Sequence, residues 1–383
     1  MTRRVPGPPS GPNLRFRTRS VDRTAVPAAR SAAKRHREAA AVLAAVVALG
    51  SVPVAGQGSG AVAPPIVVTA FGGEDPDYTV PRTPWGDPDL QGVWSSDDMS
   101  GVATSRNPDF GDRLYLTGEE FAQRQQQVEA GVDRAENDAE STFRFDFGRR
   151  AFPQTSLVVD PPDGRMPGTL PGVETMPRGT FGNGPLDWVT DFSLYERCVT
   201  RGIFGSVLRV IYGNGNRIVQ SPGAVAFSYE MLPDTRLFYT DDRPRPSQDI
   251  HMYLGSSRAR WEGDVLVVET TNLTGRTAFG VNGNGPIHST QMKVTEKFKR
   301  VADDVLQYQI TVDDPLTYEA PFTVSFPLTP LDGGKLLPYD CHPGNYAILQ
   351  SLGAERVEDR RIEEDLARGV IRPRSQISDG AGP

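Results

Sequence analysis

Histidines that could take part in acid–base chemistry are few in this chain. After residue 56 the sequence contains three of them: His251, His288 and His342. A histidine beside a carboxylate or a phenol can transfer protons during catalysis. As candidate catalytic groups we therefore combine His288 with Glu296 or Asp242, and His342 with Tyr346.

The same histidines do not have the spacing of a metal site. No two of them are separated by two or four residues, as ligands on one strand or one helix would be. The sequence also lacks a serine-hydrolase elbow, a Walker loop, a dinucleotide fingerprint and an HExxH motif. We therefore predict neither a metal nor a cofactor. The alternative to catalysis is that each histidine makes local hydrogen bonds at a loop or strand end.

A second group of residues has the chemistry of a small-molecule site. Ligand pockets are lined mostly by apolar and aromatic side chains with a few polar groups. The candidates of this kind are Trp261, Arg243, His251, Tyr229 and Glu269. Aromatic residues of this region could instead fill a core.

Two carboxylates, Glu269 and Glu296, fall on strands that we expect to face each other. A carboxylate that points inward is costly to bury without a cation, and the nearby candidates are Arg243, Arg260 and Arg300. Such a group is either a general acid or base with a raised pKa, or a member of a salt-bridge network that stabilises the sheet.

The clearest secondary-structure patterns predict strands. Residues alternate in polarity or are β-branched over 265–270, 291–301 and 305–312. Glu262-Gly263-Asp264 is predicted as a hairpin turn in which Gly263 supplies a positive φ. Further strands are predicted over 207–212, 217–220, 224–230 and 236–240. These are antiparallel strands with one apolar and one solvated face.

One long helix is predicted over Leu116–Asp138, where Thr117 and Glu120 have the spacing of a capping box. Apolar residues are sparse in it, so we expect it to lie on the surface. The predicted fold class is therefore mainly β, an antiparallel β-barrel or strongly curved sheet with one surface helix and long loops.

The N-terminal residues differ in composition from the rest of the chain. Residues 1–56 combine ten Lys or Arg with the apolar run Ala39–Leu49, which predicts an export signal with a basic extension; the alternative is a membrane anchor or a basic tail. Residues 57–82 are interpreted as a flexible leader, 83–358 as a single β-rich domain and 359–383 as a charged tail. The predicted location is the periplasm or the outside of the cell, and no membrane span is expected after residue 56.

Charge restricts the class of partner. Residues 57–383 carry 31 Lys or Arg and 46 Asp or Glu, so their net charge is −15. This balance argues against nucleic acid and anionic membrane surfaces as partners.

Two cysteines, Cys198 and Cys341, could pair in an oxidising compartment, and the alternative is two buried free thiols.

Several short motifs, taken in their order along the chain, resemble those of a known family. They are PDLQGVW, SLVVDPPDGRMP, YERCVTRG, NRIVQSPG, RARWEGDVLVVETTNL, TEKFKRV, TVDDPLTY and CHPGNYAI, from about Trp85 to Arg356. The set resembles a large family of exported bacterial proteins whose function is unassigned. Gly92-Val93-Trp94 resembles the Gly-x-Trp that begins the first strand of lipocalin-like barrels. The resemblance implies a secreted protein with a calycin- or lipocalin-type fold.

Three motifs depart from the family's pattern. An Asp-Gly-Arg turn is replaced by Asp241-Asp242-Arg243, Gly-Asp-Ser by Gly255-Ser256-Ser257, and a glutamate by Pro343. Because two carboxylates are missing, no acid–base role can be transferred to those positions.

Three functions follow as hypotheses. The first is an exported barrel that binds a small, partly apolar molecule in its interior. The second is an acid–base enzyme of the hydratase, isomerase or lyase type on the same scaffold. The third is a non-catalytic envelope protein that docks a partner through the predicted surface helix.

Overall fold

The computed structural model describes residues 63–70, 73, 75–137, 148–177, 186–339 and 341–371. All of these belong to one compact unit, Ser59–Pro383. The predicted export signal lies outside the described residues.

Within the described residues, ten strands form one sheet. They are β1 (Gly92–Ser95), β2 (Val158–Asp160), β3 (Gly215–Ser221), β4 (Ala224–Tyr229), β5 (Thr235–Tyr239), β6 (Ser256–Glu262), β7 (Val265–Thr271), β8 (Lys293–Ala302), β9 (Val305–Asp313) and β10 (Phe322–Pro330). β1 pairs with both β3 and β10, which closes nine strands into a barrel, while β2 pairs with the other end of β10. The predicted β-barrel of the lipocalin-like type is confirmed.

The hairpins of β6–β9 follow from their sequence. Gly263 has φ +61° in the turn between β6 and β7, as the Glu262-Gly263-Asp264 motif predicts. In β9 the alternate residues Leu306, Tyr308 and Ile310 point into the barrel core, where none of them is exposed. The alternating side chains of a strand point to opposite faces, so one apolar set is enough to fix which face turns inward.

The outer face of β8 and β9 is not the solvated face that the sequence predicts. Lys297, Gln307 and Gln309 are all buried. Residues 63–70, within the stretch interpreted as a flexible leader, lie against them. The Gln307 and Gln309 amides accept hydrogen bonds from the backbone N–H groups of Thr69 and Val67 at 3.1 and 2.8 Å. Side-chain amides thus replace solvent on this face.

One predicted strand, 207–212, is wrong. Val207 instead ends the short helix α2 (Gly202–Val207), and no strand follows before β3. The reason is local, because the Asn214 side chain takes the place of a strand neighbour. Its Oδ1 accepts from the Val210 N–H at 2.7 Å and its Nδ2 donates to the Val210 carbonyl at 2.9 Å.

The predicted surface helix is confirmed as α1 (Gly118–Asn137). Its capping box is formed, because the Glu120 carboxylate accepts from the Thr117 N–H at 2.8 Å and the Thr117 hydroxyl from the Glu120 N–H at 3.3 Å. A further helix, α3 (Ala347–Ala367), crosses the boundary that the sequence places at residue 358. In the described part of the chain, no helix combines the length and the apolar character needed to cross a bilayer.

The Gly92-Val93-Trp94 motif places its tryptophan in the barrel core. Trp94 is buried and its indole N–H donates to the Leu90 carbonyl at 3.0 Å. The Arg300 guanidinium lies 5.7 Å from the centre of the indole ring. A Cβ on Gly92, which has φ +152°, would lie 2.9 Å from the indole nitrogen. The glycine is therefore required for the tryptophan to fold back into the barrel core.

Candidate ligand-binding site

A buried ion pair lies inside the barrel. Arg236 of β5 and Glu296 of β8 are 3% and 0% exposed, and two guanidinium nitrogens donate to the two carboxylate oxygens at 2.8 and 2.5 Å. β5 and β8 are not neighbours in the sheet, so this pair spans the interior. An ion pair without solvent is stabilised only when its remaining polar atoms are also hydrogen-bonded.

Hydroxyl groups complete most of this network. Tyr308 donates to Glu296 at 2.5 Å, and Arg236 donates to Tyr229, Ser257 and Thr270 at 3.2, 3.2 and 2.9 Å. One donor is left over, because Nε of Arg236 is buried and has no hydrogen-bond partner among the described residues. The Tyr229 hydroxyl accepts from Arg236 and keeps its own proton to donate.

Burial and charge set the protonation of these groups. Burial lowers the pKa of Arg236, but the charge and hydrogen bonds of Glu296 together with the two tyrosines outweigh it, so that pKa is raised. Burial raises the pKa of Tyr229 to about 12 and also raises that of Tyr308, with the Glu296 charge acting in the same direction on both. The two phenols therefore stay neutral at neutral pH beside the Arg236–Glu296 ion pair.

Aromatic rings surround the network on the side of the Trp94 end. Phe298 stacks on Tyr308 with ring centres 4.5 Å apart, and Phe227 meets Tyr229 edge-on at 5.1 Å. The Arg236 guanidinium lies 4.8 Å from the centre of the Phe238 ring. At the other end Phe204 of α2 packs on Phe279 at 4.5 Å, and Phe279 on Phe322 at 5.0 Å. The polar groups thus lie between two aromatic clusters.

The barrel wall is weakest beside the network. β5 and β6 run parallel and are joined by a single residue pair, Tyr239 with Arg258. Each other neighbouring pair of the nine closed strands is antiparallel and has at least two paired residues. Across the β5–β6 seam, the Arg236–Ser257 bond joins the two strands through side chains.

Two of the predicted site residues, Tyr229 and Glu296, come together at this network. The expected partners of Glu296 were wrong, since its cation is Arg236 rather than Arg243, Arg260 or Arg300. Arg236 could have been found from the period-2 pattern of β5, because it shares the inward face with Phe238. Glu269 faces outward because the register of β7 and β8 pairs it with Thr295, one position away from Glu296.

Glu269 instead belongs to a surface cluster. It is about one-third exposed, and its Oε1 accepts from Arg260 Nη1 at 3.2 Å. Arg243 is also exposed, where it stacks on Tyr239 and forms an ion pair with Asp241 at 2.6 Å. Asp242 is exposed beside it. In the described residues none of these groups makes a hydrogen bond or ion pair with Arg236 or Glu296, so they form a separate outer surface.

His288 is buried at the closed α2 end of the barrel. Its Nδ1 faces the Ser289 carbonyl at 3.0 Å and must donate to it, so its Nε2 accepts from the Thr277 hydroxyl. Both ring nitrogens are thus used locally, and in the described residues no hydrogen bond joins His288 to Glu296 or Asp242. Burial lowers the pKa of His288, although the nearby Asp314 charge opposes this.

A pH dependence of stability follows from His288. Because the pKa in the folded chain lies below the unfolded value of about 6.5, the unfolded chain takes up the proton first as the pH falls. The free energy of unfolding should therefore decrease below about pH 6.5, by at most about 1.4 kcal/mol per pH unit for this one group. Urea titrations at several pH values should show this slope in the wild type and a smaller one in His288→Asn. His342→Asn, at an exposed position, should keep the wild-type slope.

The remaining predicted residues lie at the surface or at its edge. His251, His342 and Tyr346 are exposed, and Trp261 is half-buried against the core. Cys198 and Cys341 form the predicted disulfide, with Cα atoms 5.7 Å apart. Within the described ranges no group of three His, Cys, Asp or Glu side chains is arranged to hold a metal ion.

Fold and site together define the class as a lipocalin-like β-barrel with an ionic network in its interior. No protein-family model, curated protein or solved structure matches the chain.

Proposed function

We propose that this barrel binds a small, partly apolar molecule that carries a hydrogen-bond acceptor. The observation that supports the proposal is the Nε–H of Arg236, which is unpaired among the described residues, while both Nη atoms of the same guanidinium are hydrogen-bonded. Next to it, the Tyr229 hydroxyl has a proton to donate. One acceptor atom on a ligand would use both donors, which is how an apolar site with few polar groups selects its ligand.

The route to this site is proposed at the seam between β5 and β6. Few backbone hydrogen bonds need to break there, because one residue pair joins the two strands. Local opening free energies are lowest where backbone pairing and packing are sparse. The aromatic clusters on either side would then receive the apolar part of the ligand.

The test is calorimetry with a panel of small lipophilic molecules that differ in whether they carry an acceptor oxygen. We expect acceptor-bearing members to bind and Tyr229→Phe to weaken them about three- to tenfold, the effect of one hydrogen bond. Tyr318→Phe is the matched control, since the Tyr318 ring is also buried and its hydroxyl has no partner among the described residues. Equal affinity in both variants, or no binding by any member of the panel, would overturn the proposal.

We also propose that the chain works outside the cytoplasm and belongs to the exported family that it resembles. The export-signal pattern of residues 1–56, the ordered motifs and the Cys198–Cys341 disulfide support this. Expression with and without residues 1–56, followed by cell fractionation, tests it. Retention of the full-length chain in the cytoplasm with free thiols would contradict it.

The two alternative functions stay predictions. The catalytic hypothesis needs a histidine close to a carboxylate or phenol that it can use, and His288 bonds to Thr277 and Ser289 instead. The docking hypothesis needs a complementary surface on α1, and one arginine of that helix, Arg124, is used to hold it to the barrel. A specific observation supports the binding hypothesis, and none supports either alternative.

A further inference from the structure

A second buried cation, Arg201, has no hydrogen-bond acceptor in the described part of the chain. Its side chain is 1% exposed, and Nε, Nη1 and Nη2 all lack a hydrogen-bond partner among the described residues. A guanidinium has five N–H donors, so Arg201 differs sharply from Arg236, which makes five hydrogen bonds. An unpaired buried charge costs several kcal/mol of folding free energy. Such a residue is a candidate for binding an anion.

Tyrosines surround Arg201. Tyr195, Tyr212, Tyr229 and Tyr339 are the groups that act on its charge, and burial lowers the pKa of Arg201 to about 10. The Tyr195 hydroxyl is hydrogen-bonded to those of Tyr212 and Tyr339. Tyr229 also belongs to the Arg236 network, so one phenol acts on both buried cations.

The tyrosines also connect Arg201 to the surface. Tyr195, Tyr212 and Tyr339 are half-buried, whereas the guanidinium below them is not exposed. Apolar side chains close to this segment in sequence are exposed: Val199 at 37%, Ile211 at 52% and Leu337 at 71%. Phenol hydroxyls next to apolar groups suit a ligand with a charged head and an apolar body.

We infer that Arg201 and its tyrosines bind the carboxylate of an amphiphilic small molecule. The inference deepens the proposed function and rests on it. The acceptor of the ligand binds at Tyr229 and Arg236, and Arg201 binds the anionic group of the same ligand. A carboxylate matches this site because its two oxygens can accept two parallel N–H bonds from one planar guanidinium. One cation also matches one negative charge, whereas a phosphate dianion would leave a charge uncompensated.

The test compares octanoate with octanamide, which have the same shape and differ in charge, by calorimetry on the full folded chain. We expect octanoate to bind at least about tenfold more tightly than octanamide, as for a charge-assisted hydrogen-bonded pair. In Arg201→Gln this ratio should fall to about one. Arg124→Gln is the matched control, because Arg124 already donates to the Phe152 and Gln154 carbonyls and should leave the ratio unchanged.

The outcomes separate this inference from the proposed function. If octanamide binds as tightly as octanoate, the carboxylate inference is wrong and the barrel still binds a ligand. If neither binds, the carboxylate inference is wrong, and the proposed function is decided by the panel of acceptor-bearing molecules. If inorganic phosphate or chloride alone raises the melting temperature as much as octanoate does, the site is one for inorganic anions and the inference is also wrong.

A stability measurement covers the case in which Arg201→Gln does not fold. In the absence of ligand, Arg201→Met should raise the melting temperature, because it removes an uncompensated buried charge and keeps the apolar stem. A structural role for Arg201 predicts the opposite shift. Tyr339→Phe, which keeps the ring and removes one hydroxyl, should lower the octanoate-to-octanamide ratio several-fold. An unchanged ratio in that variant, together with a lower melting temperature in Arg201→Met, would overturn the inference.

Discussion

Glu296→Leu is expected to lower the free energy of unfolding by about 3–5 kcal/mol. The substitution leaves the Arg236 guanidinium charged and buried, with only the hydroxyls of Tyr229, Ser257 and Thr270 to accept from it. Neutral hydroxyls do not replace a carboxylate that balances the charge. The Tyr308 hydroxyl also loses its acceptor, which adds to the cost.

Urea or guanidinium unfolding followed by circular dichroism measures this loss. Glu269→Leu is the matched control, because Glu269 lies on the neighbouring strand β7 but faces outward in a cluster with Arg260. Exposed ion pairs contribute about 0–1 kcal/mol, so this variant should change stability little. An equal effect of the two substitutions would show that the buried pair has no special role.

The double variant Arg236→Met and Glu296→Leu should recover most of the stability that Glu296→Leu loses. It removes both charges together, and apolar pairs often replace buried ion pairs without net loss. A double-mutant cycle over the two positions should therefore give a large coupling energy. The recovered variant should at the same time bind acceptor-bearing ligands more weakly than the wild type, since the Nε–H donor of Arg236 is gone. That separation of stability from binding would mark Arg236 as a functional residue.

The sequence was enough to predict the barrel because its patterns are local. β7, β8 and β9 alternate strongly, Gly263 has the φ that its turn requires, and α1 has a complete capping box. Each of these signals depends on residues within a few positions of one another. Neighbouring hairpins then follow from antiparallel pairing, and closure follows from β1 pairing with β10.

The interior pair was not predictable in the same way. Arg236 and Glu296 are separated by 60 residues and by two intervening strands, so no local spacing relates them. Choosing among the arginines requires the register and the inward face of every strand. Register also reversed the expectation for Glu269, because a shift of one residue turns a side chain to the opposite face.

The segment that covers the outer face of β8 and β9 could not be predicted, for a different reason. Residues 63–70 are rich in Pro, Val and Ala and have no strand pattern, yet they lie against the outer face of β8 and β9. Only the glutamines at 307 and 309 indicate it, since a polar outward face that is buried needs an unusual partner. Single histidines had no pattern at all. Their placement depended on loops whose conformation no periodicity describes.

Removal of the disulfide is expected to have an effect of similar size. In Cys198→Ser with Cys341→Ser, the free energy of unfolding should fall by up to about 5 kcal/mol, as the chain-entropy treatment gives for a loop of this length. The two cysteines are separated by 143 residues, so the bond restricts a large part of the unfolded chain, including β3 to β10. Denaturant unfolding at neutral pH measures the change.

Reduction provides an internal control for this prediction. Dithiothreitol should destabilise the wild type by about as much as the double substitution does, and it should leave the double variant unchanged. The bond also joins the segment of Tyr195 to that of Tyr339, so reduction should weaken octanoate more than octanamide. A reduced protein with unchanged stability and an unchanged affinity ratio would mean that neither the fold nor the tyrosine cluster depends on the disulfide. If reduction lowers both the stability and the affinity ratio of the wild type, then both properties depend on the oxidised disulfide.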